Sequence, residues 1–116
     1  MNTTATTTPL PDEITAADLK TLLATDTPAV QLLDVRETLE RWLGAIKPSA
    51  HIPLGKLDSP DAAALLAEQN LDPKKRTVIF CASGMRSLKA LALLREKHNF
   101  TRAQSLRGGM RAWKSA

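Results

Sequence analysis

Cys81 is the only cysteine of this chain, and it stands where its sulfur could act as a nucleophile. It ends the run Thr77-Val-Ile-Phe-Cys81, which is typical of a buried strand, and a helix is predicted to begin six residues later at about Ser87. A strand-to-helix turn this short can bring successive backbone N–H groups together in front of the sulfur, where the positive end of the helix dipole adds to them. The sequence therefore predicts an anion-binding loop that faces a thiol.

The loop after Cys81 has the composition that would ionise this thiol. Its residues are predicted to bind an anionic substrate through their N–H groups: Ala82, Ser83, Gly84, Met85 and Arg86. Gly84 can adopt the positive φ that such a turn often demands, and Arg86 adds positive charge. Because N–H donors and a cation favour the thiolate, we expect the pKa of Cys81 to lie below the free value of about 8.5. The alternative is a small buried apolar residue at a strand end, but the Ser, Gly and Arg that follow would then serve no packing purpose.

The elements that must position this loop alternate between strand and helix patterns. Helices are predicted over 15–24, 36–43 and 61–70, from about Ser87, and after Gly108-Gly109; strands are predicted over 30–35, 77–81 and near 103–106, with an ordered loop or brief strand within 44–60. This alternation predicts an α/β fold with three layers, in which helices cover both faces of a mainly parallel sheet of about five strands. Ligands of such sheets bind beyond the carboxyl ends of the strands, so residues after strand 30–35 should lie near Cys81.

The second strand end carries three charged residues that could support the site. Asp34, Arg36 and Glu37 are candidates for a position just behind the substrate, and Glu37 is the expected ion-pair partner of Arg86. A purely structural ion-pair network is an equally good interpretation of Asp34, Arg36 and Glu37. Trp42 could pack beside the site loop, but a place in the core is the favoured interpretation.

Composition excludes several classes of protein. The chain has 116 residues, of which 43% are hydrophobic and 24% charged, as expected for one soluble domain over 1–116 with a mobile lead-in over 1–11. One cysteine excludes an internal disulfide, and two histidines are too few to complete a structural zinc site. No apolar run approaches the roughly 18 residues of a membrane helix, and the Thr-rich start is no secretory signal. We expect a cytoplasmic protein with no cofactor, no metal and no membrane partner.

Charge is distributed unevenly along the chain. Residues 1–72 hold 5 Lys and Arg against 11 Asp and Glu, whereas residues 73–116 hold 11 against 1. A positive field from the second half would attract a small anion or an acidic protein surface, and a charged face that only confers solubility is the alternative. Nucleic acid is not expected as a partner, because the chain has no Tyr and only four other aromatic residues to stack on bases.

The kind of nucleophile can be narrowed by elimination. No second cysteine is present to resolve a disulfide, which excludes thioredoxin-like exchange. A papain-type pair needs a histidine beside Cys81, which His51 or His98 could supply only through tertiary folding. A phosphatase loop has the pattern Cys-x5-Arg, and here the arginine comes one residue too early, at Arg86 instead of position 87.

Four segments of the chain resemble the rhodaneses, a family of sulfurtransferases that includes single-domain members. They are Cys81-Ala-Ser-Gly-Met-Arg-Ser87, Leu33-Asp-Val-Arg-Glu37, Gly44 to Leu54, and Leu106-Arg-Gly-Gly-Met-Arg-Ala-Trp113. In order and spacing the resemblance covers about residues 12–115. Departures from the family pattern are concentrated in the third segment, at Ala45, Lys47 and Pro48.

The resemblance implies a mechanism in which Cys81 carries sulfur as a persulfide. A small anionic donor such as thiosulfate would supply the sulfur, and a thiol or cyanide would accept it. The six-residue loop of this chain matches the sulfur-handling form, whereas relatives that handle phosphate or arsenate have one residue more. Gly108, Gly109 and Trp113 match residues that maintain the fold. Two alternatives are a persulfide carrier or interaction module that serves a partner protein, and a phosphatase or arsenate reductase.

Overall fold

A computed structural model describes residues 9–25 and 30–116 of the chain. Most of the predicted lead-in, residues 1–8, lies outside the described residues. The carbonyl of Pro11, at its end, accepts a hydrogen bond of 3.1 Å from Gln104 Nε2. No helix in the described ranges is both long and apolar enough to cross a membrane.

Over residues 9–25 and 30–116 the fold consists of five strands and six helices. The strands are β1 (Glu13–Ile14), β2 (Val30–Asp34), β3 (Ala50–His51), β4 (Arg76–Phe80) and β5 (Ala103–Leu106). The helices are α1 (Ala16–Leu23), α2 (Thr38–Trp42), α3 (Leu54–Leu57), α4 (Ala62–Glu68), α5 (Met85–His98) and α6 (Gly109–Ser115). All strand pairs are parallel, in the order β1-β5-β4-β2-β3, which confirms the predicted α/β architecture.

Helices cover both faces of the sheet. Helices α3, α4 and α5 pack on one face around Leu33, Ile79 and Leu94, which are all fully buried or nearly so. On the other face α1 and α6 pack against Phe80 and Leu106. Strands buried on both faces need continuous apolar runs, and this explains the unbroken β-branched and aromatic sequence of β4.

Two elements were not predicted, and one residue was misplaced. Strand β1 has two residues and α3 has four, so neither is long enough to produce a periodic signal. Trp42 was expected in the core, but its residue surface is 78% exposed, and the prediction is wrong. The reason is that α2 is a five-residue helix none of whose residues is buried.

The register of the sheet brings the two predicted strand ends together. Asp34 in β2 is paired with Phe80 in β4, and the N–H of Val35 donates to the carbonyl of Phe80 over 3.0 Å. Cys81 and Arg36 therefore follow adjacent strands at the carboxyl edge of the sheet, as the sequence predicted.

Candidate active site

The sulfur of Cys81 lies inside the curl of the loop that follows it. The N–H of Gly84 donates to Sγ over 3.0 Å and the N–H of Ser87 over 3.4 Å, and the hydroxyl of Ser87 lies 3.5 Å away. The residue is 1% exposed. The amides thus contact the sulfur itself, whereas the sequence predicted that they would converge on a point in front of it.

These contacts favour the ionised sulfur. Burial by itself raises the pKa of the Cys81 thiol, but hydrogen bonds from the Ser87 hydroxyl and from the N–H groups of Ser87, Gly84 and Ser83 outweigh it, so the pKa lies below its ordinary value. Donors that point at sulfur stabilise S⁻ more than SH. The sequence predicted a lowered pKa for Cys81, and this geometry agrees with that direction. Burial is the largest effect that opposes the lowering.

The start of α6 holds the loop in this orientation. The N–H of Met110 donates to the carbonyl of Cys81 over 2.8 Å, and that of Arg111 to the carbonyl of Ala82 over 3.1 Å. Gly109, at φ +56°, leaves no room for a Cβ, because such an atom would lie 2.6 Å from the carbonyl carbon of Ala82. Because α6 binds the carbonyls of Cys81 and Ala82, the peptide groups of the loop are already oriented before charge develops during a reaction.

Gly84 allows the chain to turn from the strand into α5. It is the N-cap residue of α5 and has a φ of +102°, which L side chains rarely adopt. A Cβ on Gly84 would also come within 3.1 Å of the backbone nitrogen of Gly108. Gly108 and Gly109 therefore pack against the loop in addition to starting α6.

The side chain of Arg86 pairs with Glu40. Its two terminal nitrogens donate to the two carboxylate oxygens over 2.6 and 2.7 Å. The expected pairing with Glu37 is wrong, because Glu37 is the N-cap of α2 and Glu40, one turn later, faces α5. Hydrogen bonding to Arg86 is the main reason why the pKa of Glu40 falls from 4.5 to about 2.

Asp34 and Arg36 form a buried ion-pair network at the end of β2. Asp34 is fully buried and accepts from Arg36 Nη2 over 2.9 Å and from Arg41 Nη1 over 3.1 Å. Arg36 also donates to the carbonyl of Gly44 over 2.8 Å, and Arg41 to the carbonyl of Ser49 over 2.9 Å. This network fixes the 44–49 loop, which contains the positions that depart from the family pattern.

A cavity of about 450 Å³ opens beside the loop. Its lining comprises Arg36, Glu40, Leu43, Ala82, Met110, Arg111, Lys114 and Ser115. Arg36 is paired with Asp34 and Glu40 with Arg86, whereas no described carboxylate side chain forms a salt bridge with Arg111 or Lys114. The cavity thus has two available cations within reach of the first residue after Cys81. A larger cavity, of about 600 Å³, involves none of the loop residues and lies away from this chemistry.

The site contains residues that sequence reasoning missed. Ser87 closes the loop around the sulfur, and its hydroxyl lies 2.7 Å from that of Ser105 in β5. The sequence marked Ser87 only as a helix start and as the last residue of a segment that resembles the family; its position at the end of the loop was the available signal. Neither histidine serves as a base: His51 Nε2 contacts the carbonyl of Arg36, and His98 ends α5, about 20 Å along the helix from the loop.

Fold and site together define an α/β domain with a sulfur nucleophile in a loop at the carboxyl edge of a parallel sheet. The sequence profile of the rhodanese-like domain matches residues 15–116. A putative sulfurtransferase of Bacillus subtilis is 37% identical over 101 residues, covering 87% of this chain and 88% of the relative. The chain therefore belongs to the rhodanese-like domain family.

Solved structures give the same assignment. A human single-domain sulfurtransferase superposes with a TM-score of 0.72 at 28% identity, covering 91% of this chain and 97% of that one. A rhodanese-related protein of Thermoplasma volcanium gives 0.72 at 28% identity, covering 90% and 92% of the two chains. Among longer relatives, an adenylyltransferase and sulfurtransferase of Zea mays is 36% identical over 91 residues, and this stretch covers 78% of the present chain but 19% of the maize protein.

Proposed function

We propose that this protein transfers a sulfane sulfur from a thiosulfate-type donor to a thiophilic acceptor through a persulfide on Cys81. The Cys81 thiolate attacks the outer sulfur of the donor, the donor's S–S bond breaks, and sulfite leaves with the bonding pair. The acceptor then attacks the outer sulfur of the persulfide and regenerates the thiolate. No proton, electron or cofactor has to be supplied from outside in either step.

The observation that carries this proposal is the set of donors around Sγ. Gly84 and Ser87 donate to the sulfur at 3.0 and 3.4 Å, so the loop stabilises the thiolate before attack and after sulfur release. In the intermediate the outer sulfur would lie about 2 Å beyond Sγ, at the length of an S–S bond. Arg111 and Lys114 in the adjoining cavity suit a donor with two negative charges.

Phosphatase or arsenate reductase activity fits this loop less well. In the described structure Arg86, which would hold a phosphate oxygen in a Cys-x5-Arg loop, donates both terminal nitrogens to Glu40. The donors at Gly84 and Ser87 are occupied by the sulfur itself. A phosphoryl group under attack needs these N–H groups for its oxygens, whereas a thiosulfate-type donor presents its outer sulfur to Sγ while its oxygens can lie in the adjoining cavity beside Arg111 and Lys114.

Intact-mass spectrometry tests the proposal. Incubation with thiosulfate is expected to add the mass of one sulfur atom, which cyanide removes, and Cys81→Ser should gain none. Lys89→Gln is a matched control, since Lys89 is exposed on α5 and its side chain has no described contact with the sulfur. Turnover of an aryl phosphate without a thiosulfate adduct would overturn the proposal in favour of a phosphatase.

A protein acceptor is favoured over a small molecule by the surface beside the loop. Leu39, Trp42 and Leu43 are 73%, 78% and 82% exposed, and Leu43 also lines the cavity. Exposed apolar patches of this kind mark interaction sites. Arg111 and Lys114 lie in the same cavity, so the partner segment that fits is apolar and acidic. The maize relative, whose name combines adenylyltransferase and sulfurtransferase, provides an example of the family within a longer protein.

Persulfide discharge to matched peptides tests the acceptor class. Protein loaded with sulfur is mixed with a cysteine peptide flanked by Leu and Glu, with the same peptide carrying Lys for Glu, or with dithiothreitol. The acidic peptide should react fastest, and Trp42→Ser together with Lys114→Glu should remove that advantage without slowing dithiothreitol. Equal rates with both peptides would contradict a protein acceptor of this chemistry, while the mass of the loaded protein would still report on the persulfide.

A further inference from the structure

The hydroxyl of Ser105 is joined to the active-site sulfur through a single intermediate, Ser87. The two serine oxygens are 2.7 Å apart, and both residues are fully buried. Ser105 lies on β5, on the same face of the sheet as Ala103 in the core beneath α5. It lies 24 positions from Cys81 in the sequence, and its side chain has no described contact with the sulfur.

Counting hydrogens fixes the direction of this bond. In the described structure Ser87 Oγ is the sole partner of the Ser105 hydroxyl, so Ser105 donates its hydrogen to Ser87. Ser87 must then direct its own hydrogen elsewhere, and the two acceptors in reach are the carbonyl of Gly84 at 3.2 Å and Sγ of Cys81 at 3.5 Å.

The choice between these two acceptors follows the charge on the sulfur. When Cys81 is a thiol, it can donate to Ser87 Oγ, and Ser87 donates to Gly84. When the sulfur is ionised, the Ser87 hydrogen turns towards S⁻, because a charged acceptor forms the stronger bond. The Gly84 carbonyl then retains a partner, since it also accepts from the N–H of Leu88 over 3.3 Å. No buried group loses its only hydrogen bond in either state.

We infer that Ser105 is a positioning residue, which by donating to Ser87 keeps the Ser87 oxygen hydrogen-bonded when Cys81 ionises and its S–H is lost. Without Ser105, the Cys81 S–H would be the remaining donor to this buried oxygen in the described structure, so ionisation would leave the oxygen without a donor and the thiol would be favoured. This role depends on Cys81 acting as the proposed nucleophile, but it concerns ionisation of the sulfur and can be measured without sulfur transfer.

The described elements that pack around the sulfur carry few charged groups near it. On α5, Arg86 is paired with Glu40 of α2; after β2, Arg36 is paired with Asp34. On α6, Arg111 lines the cavity beside Ala82. The side chains of β5 carry no charge over its four residues. Replacing Ser105 therefore leaves every neighbouring charge in place.

The experiment is the pH dependence of iodoacetamide alkylation of Cys81. Ser105→Ala should raise the midpoint by roughly 0.5 to 1 pH unit, the equivalent of one hydrogen bond, and Ser105→Thr should restore it in part. Ser87→Ala should raise it at least as much. In the double variant the shift should equal that of Ser87→Ala alone, because Ser105 acts only through Ser87.

Thr77→Val is the matched control for loss of a buried hydroxyl. Thr77 is fully buried in β4 and donates to the carbonyl of Lys75, away from the sulfur. The Thr77→Val variant should have a lower melting temperature and an unchanged midpoint of Cys81 alkylation. An unchanged midpoint in Ser105→Ala, or additive shifts in the double variant, would overturn the role of Ser105. If the midpoints shift as expected and thiosulfate adds no sulfur, only the proposed function fails.

Discussion

Arg86 and Glu40 form a two-point ion pair that connects the first turn of α5 to α2. The distances are 2.6 Å for Nη1–Oε1 and 2.7 Å for Nη2–Oε2, and about a third of each side chain is exposed. The pair gives Arg86 a carboxylate partner, as the sequence predicted, but the partner is Glu40 instead of Glu37. The cation still influences the sulfur at a distance, since attraction to Cys81 is among the effects that raise the pKa of Arg86.

Replacing Arg86 should change the sulfur through the carboxylate that it releases. Arg86→Ala removes a cation and leaves Glu40 unpaired near the loop, so we expect the pKa of Cys81 to rise, by less than about one unit because solvent screens the site. In the double variant Glu40→Gln/Arg86→Ala, the pKa of Cys81 should return part of the way to its wild-type value. Alkylation midpoints measure both variants. A larger rise in the double variant would show that the unpaired carboxylate is not responsible.

Acid should weaken the attachment of α2 to α5. The pKa of Glu40 is about 2 in the folded protein, against 4.5 ordinarily, so the ionised carboxylate stabilises the fold fully above pH 4.5 and loses this effect as the pH falls towards 2. Because the pair is partly exposed, we expect at most about 1 kcal/mol. The free energies of unfolding of the wild type and of Glu40→Gln should differ at pH 6 and converge as the pH falls towards 2. A constant difference across this range would exclude titration of Glu40 as the cause.

The carboxylate of Asp34 should be essential for stability. It is fully buried and accepts from two arginines, and neutralising it would leave a buried guanidinium without its partner. Asp34→Asn is expected to lower the free energy of unfolding by roughly 3 to 5 kcal/mol. The exposed Asp58→Asn is the control and should change it by less than about 0.5 kcal/mol. Urea denaturation measures both, and similar small changes would mean that the network contributes little.

Gly109 should tolerate no side chain. A Cβ there would overlap the carbonyl groups of Cys81 and Ala82, and the backbone has a positive φ. Gly109→Ala is expected to cost about 1 to 3 kcal/mol from overpacking and to displace the loop from the sulfur, raising the alkylation midpoint. Gly55→Ala is the control, since nothing lies within 4 Å of its added Cβ. Unchanged alkylation in a folded Gly109→Ala protein would contradict this role of α6.

The parts of the site that could be predicted are those that are local in sequence. Cys81, Gly84 and the helix after them form one continuous segment. The apolar run predicts strand β4, and the glycine after it predicts a turn with a positive φ. The pairing of β2 with β4 followed from the general rule that parallel strands end at one edge. These features could be predicted without knowing which residues distant in sequence contact one another.

The remaining features depend on contacts between distant segments. Glu40 and Arg86 are 46 residues apart, and the choice of Glu40 over Glu37 depends on where a five-residue helix begins. Ser105 meets Ser87 because β5 lies beside β4 under α5, an order that strand patterns do not reveal. Trp42 was assigned to the core from its residue type, although apolar side chains also occur on surfaces.

The near-complete enclosure of the Cys81 sulfur limits which molecules can reach Sγ directly, whereas in the proposed persulfide the transferable sulfur would lie about 2 Å further out, where a partner's thiol could meet it. With 1% of the residue exposed, two copies of this protein cannot bring their sulfurs together without opening both loops. A purified sample kept in air should therefore resist cross-linking into dimers, even though an ionised sulfur is normally the form most prone to oxidation. Small oxidants such as hydrogen peroxide would then be the main cause of Cys81 oxidation during storage.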